Sequence, residues 1–456
     1  MSYDAIVVGT GQAGKPLAFE LADEGWEVAV VEQDEIGGSC INYGCTPTKT
    51  LVGSARVAYL ARRSEEFGIR TGPVRPDMDE MVARKDRVVD QFRSGSEQAL
   101  KKNERIDVFR GHGRFVDNHS VHVNGEQDRT LTADHVFINT GQVARVPEVE
   151  GLGSVSYLTN RSVMELKQVP DHLLIIGGGY IGLEFGQMFR RFGSDVTIIQ
   201  RGDQLAPLED PDIADEIRKV LKEDGIDVRL NADASAVRET ADGITLTLDS
   251  QTTNCSITGS HLLLAAGREP ATDQLGLENT GIRTNKRGEI QVNNRLETDV
   301  DGVYCMGDVK GGAAFTHISY DDYRVVRDNL LNDANRTIDG RMVPYTIFTD
   351  PELGRIGLNE TMAEKQGSAY QTATMPMSKV ARAIEAGETR GHMKVLVDPE
   401  TDQLLGASIL GISGGEIASM IQIAMMGDLR YQELREGIFS HPTLAESLNN
   451  LFSSLD

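Results

Sequence analysis

Between Tyr3 and Gln33 the hydrophobic pattern changes period twice. Asp4-Ala-Ile-Val-Val8 is an unbroken apolar run of the kind a strand buried on both faces requires, and Gly9-Thr-Gly-Gln-Ala-Gly14 reads as a tight turn. Lys15 to Glu24 carries its apolar residues at helical spacing, and Glu27 to Glu32 returns to a strand. This is the pattern of a βαβ unit, and it recurs. Leu173 to Ile176 reads as a strand, Gly177-Gly-Gly-Tyr-Ile-Gly182 as the turn, Leu183 to Phe192 as the helix and Asp195 to Ile199 as the next strand. Between the two units, Val108 to Val123 and Leu131 to Asn139 read as short strands broken by Gly and Asn turns, and Pro147 to Gly151 as a linker. The Ala-rich run from Thr48 to Arg62 and the segment from Phe315 to Tyr323 predict helices.

Glycine spacing gives both turns a chemical reading. Gly9 permits the first turn, Gly11 lets a pyrophosphate approach the backbone at the positive helix N-terminus, and Gly14 allows helix and sheet to pack closely. Glu32 ends the second strand, where a carboxylate can accept hydrogen bonds from an adenosine ribose. Gly177, Gly179 and Gly182 repeat the spacing, so two dinucleotide sites and two cofactors are expected. At the offset of Glu32 the second unit places Gln200, followed by Arg201. An acid there would repel a 2′-phosphate and an arginine would attract it, which predicts NADPH.

Composition narrows the partners. Asp and Glu number 69 against 46 Lys and Arg, a formal charge of -23, so nucleic acid and anionic membrane faces are repelled. No apolar run reaches the roughly 18 residues of a membrane span, and no basic stretch with a hydrophobic signal core opens the chain, which predicts a cytoplasmic protein. Four cysteines among 456 residues exclude a disulfide-stapled scaffold. Two of them, Cys40 and Cys45, stand in Gly37-Gly-Ser-Cys-Ile-Asn-Tyr-Gly-Cys-Thr-Pro-Thr-Lys-Thr50, just before the predicted helix. Cys45 at or near a helix N-terminus is where a thiolate is stabilised. Pairing across this spacing requires an irregular turn, for which Asn42 and Gly44 are suited. A redox pair, a metal site and inert thiols all remain open on the residues alone, although no nearby His or second Cys pair completes a zinc cage. Cys255 and Cys305 have no partner at useful spacing and are expected to be buried thiols.

The segment Gly37 to Lys49, together with Val303-Tyr-Cys-Met-Gly-Asp-Val309, resembles the flavoprotein disulfide reductases, which include glutathione reductase, dihydrolipoamide dehydrogenase and mercuric reductase. The resemblance covers essentially the whole chain. It implies an α/β fold with two Rossmann-like domains, for FAD and NAD(P), and a C-terminal α+β dimerisation domain. The expected boundaries are 1–146 with 271–338 for FAD, 147–270 for the nicotinamide, and 339–456 for the interface. Cys40 and Cys45 would form the redox disulfide, with Gly38 and Ser39 at the flavin and Lys49 paired with Glu184 beside it. Gly307 and Asp308 would hold the FAD ribityl chain, and Thr316 and His317 would face the flavin pyrimidine from a helix N-terminus. Thr140-Gly141 and Gly267 would be the turns where the chain crosses between domains. Tyr180 resembles an aromatic gate at the nicotinamide site; packing is the competing reading. Gly182 with Gly186 resembles the NADH-using relatives, so NADH stays possible.

Near the C-terminus, Thr443 and Glu446 read as a capping box after His441. The resemblance adds that His441 is a general acid/base, oriented by Glu446 and delivered to the other subunit's site. Among branches, Pro47 to Val52, Ile318 to Tyr323 and Glu446 to Phe452 look most like the mercuric-reductase-like, reactive-chlorine-resistance group. The C-terminal cysteine pair expected of a mercuric reductase is missing, as is an N-terminal metal module. The expected enzyme is therefore a homodimeric NAD(P)H reductase of a small-molecule disulfide or a soft metal ion. Dihydrolipoamide dehydrogenase is the alternative, and a non-turnover flavin redox sensor a second one. No resident metal is expected.

Overall fold

A computed structural model describes residues 1–250 and 255–455. The chain divides into two compact units, one of residues 1–51, 79–145 and 267–341, the other of 52–78, 146–266 and 342–456. Among the described residues no helix is long and apolar enough to cross a membrane.

The first unit opens with the expected βαβ element: β1 (Ser2–Val8), α1 (Gly14–Asp23) and β2 (Val28–Glu32). Then come α2 (Gly38–Asn42), α3 (Cys45–Arg62), whose later part belongs to the second unit, and α4 (Met78–Lys102). The 25-residue α4 has no counterpart in the strand and helix assignments made from sequence. Next are β3 (Ile106–Asp117), β4 (Ser120–Gly125) and β5 (Arg129–Ile138). β1 pairs in parallel with β2 and β5, β2 with β3, and the strand Val303–Cys305 with β5. Beyond Gly111 the second half of β3 turns to an antiparallel ladder with β4, which in turn pairs with β5. A Cβ on Gly111 would lie 2.6 Å from the Asn124 carbonyl oxygen, so this crossing needs a glycine. Both faces of the parallel part are apolar, with Ala5, Val7, Val28 and Val30 buried on one side and Ile6, Val8, Ala29 and Val31 on the other.

In the second unit the repeat is again present: the strands His172–Ile176 and Asp195–Ile199 flank α5 (Tyr180–Phe192) in a parallel sheet completed by His261–Leu264 and Asp227–Arg229. Its C-terminal part is an antiparallel five-stranded sheet, Tyr345–Ile347, Glu352–Gly357, Leu404–Gly411, His392–Val397 and Gln371–Pro376 in spatial order. The helix Gly414–Met426 covers that sheet with Ile417, Ala418, Ile421 and Ala424.

Candidate active site

β1 delivers the chain into the first glycine turn with Gly9 at φ +101°. A Cβ on Gly9 would lie 2.4 Å from the Asn139 carbonyl oxygen, and one on Gly14 2.2 Å from that of Gly9. Neither position accepts a side chain without moving backbone. Glu32, ending β2, is 8% exposed. Its Oε2 accepts the Thr10 amide at 2.9 Å and the Thr10 hydroxyl at 2.6 Å, and its Oε1 accepts the Asp34 amide at 2.9 Å. A carboxylate offers about four lone-pair sites, so capacity remains for a ribose hydroxyl. The cradle fits the adenosine half of FAD.

Asn139, the residue after β5, organises this cradle. Its Oδ1 accepts the Gly14 amide at 2.9 Å, and its Nδ2 donates to the Met306 carbonyl at 2.9 Å. Sequence reasoning passed over it for its neighbours Thr140 and Gly141; the available signal was a lone amide closing an apolar strand. The Thr140 hydroxyl donates to the Ala271 carbonyl at 3.0 Å, and the Gly141 carbonyl accepts the Ala271 amide at 3.0 Å. The Gly267 carbonyl accepts the Arg145 amide at 3.1 Å. These turns therefore join the short ribbon Gln142–Ala144 with Arg268–Pro270. Gly307, at φ +73°, donates its amide to the buried Asp322 at 2.8 Å. Next to it, Asp308 is 3.1 Å from Arg268.

Gly38, at φ +66°, seats α2 on the turn: a Cβ there would be 2.7 Å from the Gly11 Cα. α2 carries Ser39 and Cys40, and the Ser39 carbonyl accepts the Tyr43 amide at 2.8 Å. Only Tyr43 and Gly44 break the helix before α3 starts at Cys45, a shorter irregular turn than the spacing suggested. The reason is Asn42, whose Nδ2 donates to the carbonyls of Glu35, Ile36 and Gly38 and locks one helical turn. Cys40 and Cys45 are both thiols, hydrogen-bonded to each other. The hydrogen bond to Cys45 and burial push the Cys40 thiol up. Lys49, a turn further along α3, acts on Cys40 in the opposite sense. His317 stacks on Phe315 with ring centroids 5.5 Å apart.

The second glycine turn repeats the first in backbone and departs from it in chemistry. A Cβ on Gly177 would be 2.2 Å from the Ala265 carbonyl oxygen and one on Gly182 2.0 Å from that of Gly177, whereas Gly179 faces open space. Gln200 folds inward, its Oε1 accepting the Gly178 amide at 3.0 Å. Arg201 is exposed and, among the described residues, has no ion-pair partner. Tyr180 is the first residue of α5, and Glu184, buried in its next turn, accepts the Phe348 amide at 2.9 Å. Sequence reasoning missed the ionic cluster behind α5. Arg191 pairs with Asp350 at 2.6 Å and Asp224 at 3.3 Å, and its guanidinium lies 3.8 Å from the Tyr59 ring centroid. The signal was an arginine on the apolar face of a helix.

Near the C-terminus, His441 Nδ1 lies 2.8 Å from Glu446 Oε2. A carboxylate only accepts, so Nδ1 carries the hydrogen, and in the neutral ring Nε2 carries the lone pair. The expected capping box is therefore half made: the Thr443 hydroxyl accepts the Glu446 amide at 3.2 Å, but the Glu446 carboxylate turns to His441 instead of capping. The helix starts later, at Ser447. Cys305 is buried as expected, while Cys255 is exposed at the start of the strand Cys255–Gly259. A residue opening a strand has neighbours on one side only, which is why the absence of a partner did not imply burial.

Residues 3–322 match the family model for pyridine nucleotide-disulphide oxidoreductases, and residues 343–452 match the dimerisation domain of the same family. Over 99% of both chains, the sequence is 40% identical to the probable pyridine nucleotide-disulfide oxidoreductase RclA of Escherichia coli. The solved Cu(II) complex of that HOCl-induced flavoprotein disulfide reductase superposes with a TM-score of 0.92 at 39% identity, covering 100% of each chain. A mercuric reductase of Staphylococcus aureus is 33% identical over 98% of this chain and 81% of its own. A dihydrolipoyl dehydrogenase of Thermus scotoductus is 35% identical over 98% and 96%.

Proposed function

The chain belongs to the pyridine nucleotide-disulphide oxidoreductase family, and we propose that it carries reducing equivalents from NADPH through Cys45 and Cys40 to a disulfide or a soft metal ion. It is an NAD(P)H-dependent flavoprotein reductase with the family's dimerisation domain. FAD, when bound, supplies the two-electron relay between nicotinamide and cysteines.

The observation that carries the reading is the pair of hydrogen-bonded thiols, Cys40 in α2 and Cys45 at the head of α3. In the proposed cycle His441 of the partner subunit takes the Cys40 proton, and the resulting thiolate attacks one sulfur of the acceptor. The acceptor S–S bond breaks, and the leaving thiolate takes the proton back from His441. The Cys45 thiolate then attacks the Cys40 sulfur, closing the disulfide and expelling the second thiolate. With a soft metal ion the two sulfurs would act first as ligands, which thiolates favour. The mercuric reductase and the Cu(II) complex among the relatives support that arm. Arg201 supports NADPH, and the reducing couple suits a cytoplasmic setting. The His441–Glu446 pair and the dihydrolipoyl dehydrogenase relative favour one second reading, oxidation of a dihydrolipoyl dithiol by the reverse path.

Anaerobic reduction by NADPH, followed by additions of disulfides, quinones, Hg(II) and Cu(II), tests this. Reoxidation by a disulfide or metal ion that disappears in both Cys40→Ser and Cys45→Ser supports the reading. Reoxidation that persists in both variants overturns it.

A further inference from the structure

Met306, Gly307 and Asp308 turn the chain after the strand Val303–Cys305, and three side chains of the first unit hold the backbone of that turn. Asn139 donates to the Met306 carbonyl at 2.9 Å, Asp322 Oδ2 accepts the Gly307 amide at 2.8 Å, and Gln142 donates to the Asp308 carbonyl at 3.0 Å. Gly307 stands at φ +73°, where a Cβ would lie 2.5 Å from Asn139 Nδ2. A glycine restricts its own backbone least, so the turn takes its direction from these partners. Asp322 is the charged one among them. It is completely buried in the helix Thr316–Leu331, and its carboxylate is paired with Arg341 at 2.7 Å and with the buried Lys310 at 3.3 Å. A carboxylate that deep needs ion pairs and hydrogen bonds to be tolerated, and the Gly307 amide is its backbone donor. Ser319, one turn earlier on the same helix, donates to Asp308 Oδ1 at 3.4 Å, and Arg268 lies 3.1 Å from Asp308 Oδ2. Of the about four lone-pair sites of the Asp308 carboxylate, two are left for hydroxyl donors. The helix begins at Thr316, 3.3 Å from Cys45 Sγ.

We propose that Asp322 is a positioning residue for FAD: by holding the Gly307 amide it sets the direction in which Asp308 meets the ribityl hydroxyls. This rests on reading Gly307 and Asp308 as the ribityl-binding turn. Among the described residues, the hydrogen-bond and ion-pair partners of the Asp322 side chain are Gly307, Lys310 and Arg341. None of them belongs to the adenosine cradle of Gly9 to Gly14 and Glu32, so Asp322 acts on one half of the cofactor.

The test uses the full-length chain stripped of FAD and titrated with FAD or with ADP, which fills the adenosine cradle but has no ribityl chain. Loss of one hydrogen bond to a charged group costs about tenfold in affinity. Asp322→Ala should therefore raise the Kd for FAD by about that factor and leave the Kd for ADP unchanged. Asp322→Asn keeps the shape and an oxygen for the amide, and a neutral hydrogen bond is about half as strong, so its Kd for FAD should rise about threefold. It carries the test where alanine perturbs folding. Asp308→Ala, the reference, should also weaken FAD and not ADP. A general loosening of the fold would weaken both ligands together. That outcome overturns the proposal, as does an unchanged Kd for FAD in the folded Asp322 variants beside a raised one in Asp308→Ala. An unchanged Kd for FAD in Asp308→Ala contradicts the ribityl reading itself, and the proposal falls with it.

Discussion

The two glycine turns share a backbone and differ in what closes them. In each, a glycine at the strand end lies against the carbonyl of a neighbouring strand, at Asn139 for Gly9 and at Ala265 for Gly177. In each, the last glycine packs on the carbonyl of the first. After the first turn Glu32 binds Thr10 and keeps capacity for a ribose; after the second, Gln200 is committed to the Gly178 amide and Arg201 faces solvent. Glycine spacing thus specifies that a dinucleotide phosphate can approach, and the residue ending the second strand specifies which dinucleotide.

Replacing Glu32 breaks the contrast most severely. Glu32→Arg removes an acceptor for ribose and the anchor of Thr10, two charge-assisted bonds, so FAD retention should fall by more than about 100-fold. The flavin-to-protein ratio after gel filtration measures it, and a fully loaded variant would contradict the assignment. On the other turn, wild type should have a higher kcat/KM for NADPH than for NADH. Arg201→Glu should reverse that order, with a loss of about 100-fold for NADPH, chiefly in KM. Unchanged coenzyme preference would remove Arg201 from the site.

Asn139→Ala asks whether the first turn depends on its amide. It leaves the Gly14 amide and the Met306 carbonyl without partners, at about 1–3 kcal/mol of stability. The second turn, where Ala265 lies against Gly177 as Asn139 lies against Gly9, should be unaffected when coenzyme binding is measured. Denaturant unfolding with and without FAD separates the two effects.

The smallest effect lies in an ionic cluster elsewhere in the second unit. Lys394, buried, pairs with Asp210 at 3.0 Å, Asp212 at 2.7 Å and Glu360 at 2.6 Å. These three carboxylates could have held a metal ion, but the lysine ammonium occupies their centre. Burial opposes ionisation of Asp212, yet hydrogen bonds from His392 and Lys394 hold its carboxyl well below the usual range. A depressed carboxyl contributes stability above its unfolded value near 3.9, and the contribution is lost as pH falls through the folded value. For Lys394, burial lowers the pKa but bonds to Asp212, Glu360 and Asp210 raise it overall, so its share is lost only as pH rises beyond the unfolded value near 10.4. Asp212 is half-exposed, so Asp212→Asn should cost less than about 1 kcal/mol at neutral pH. In urea titrations the difference from wild type should vanish in strong acid; a difference that grows in acid would refute the sign.

Both βαβ units were legible because strand, turn, helix and terminal residue agree within about thirty residues of each other. The helix N-terminus at Cys45 was legible for the same local reason. Asn139, Thr316 beside Cys45, and the Arg191–Asp350 pair were not, because each acts on a residue more than a hundred positions away in the chain. The Glu446 carboxylate shows the limit from the other side. A local rule assigned it to a cap, and a histidine five residues back, in a better position to donate, claimed it instead.

The central claim is that Cys40 and Cys45 of one subunit work with His441 of the other, and complementation between two inactive variants tests it. Cys40→Ser and His441→Ala should each be nearly inactive toward a disulfide acceptor. Co-refolded in equal amounts, about half the dimers should be mixed, and a two-fold interface gives each mixed dimer one site with both residues intact. Activity should return to about a quarter of wild type. No recovery, with mixed dimers confirmed by mass, would contradict the cross-subunit site.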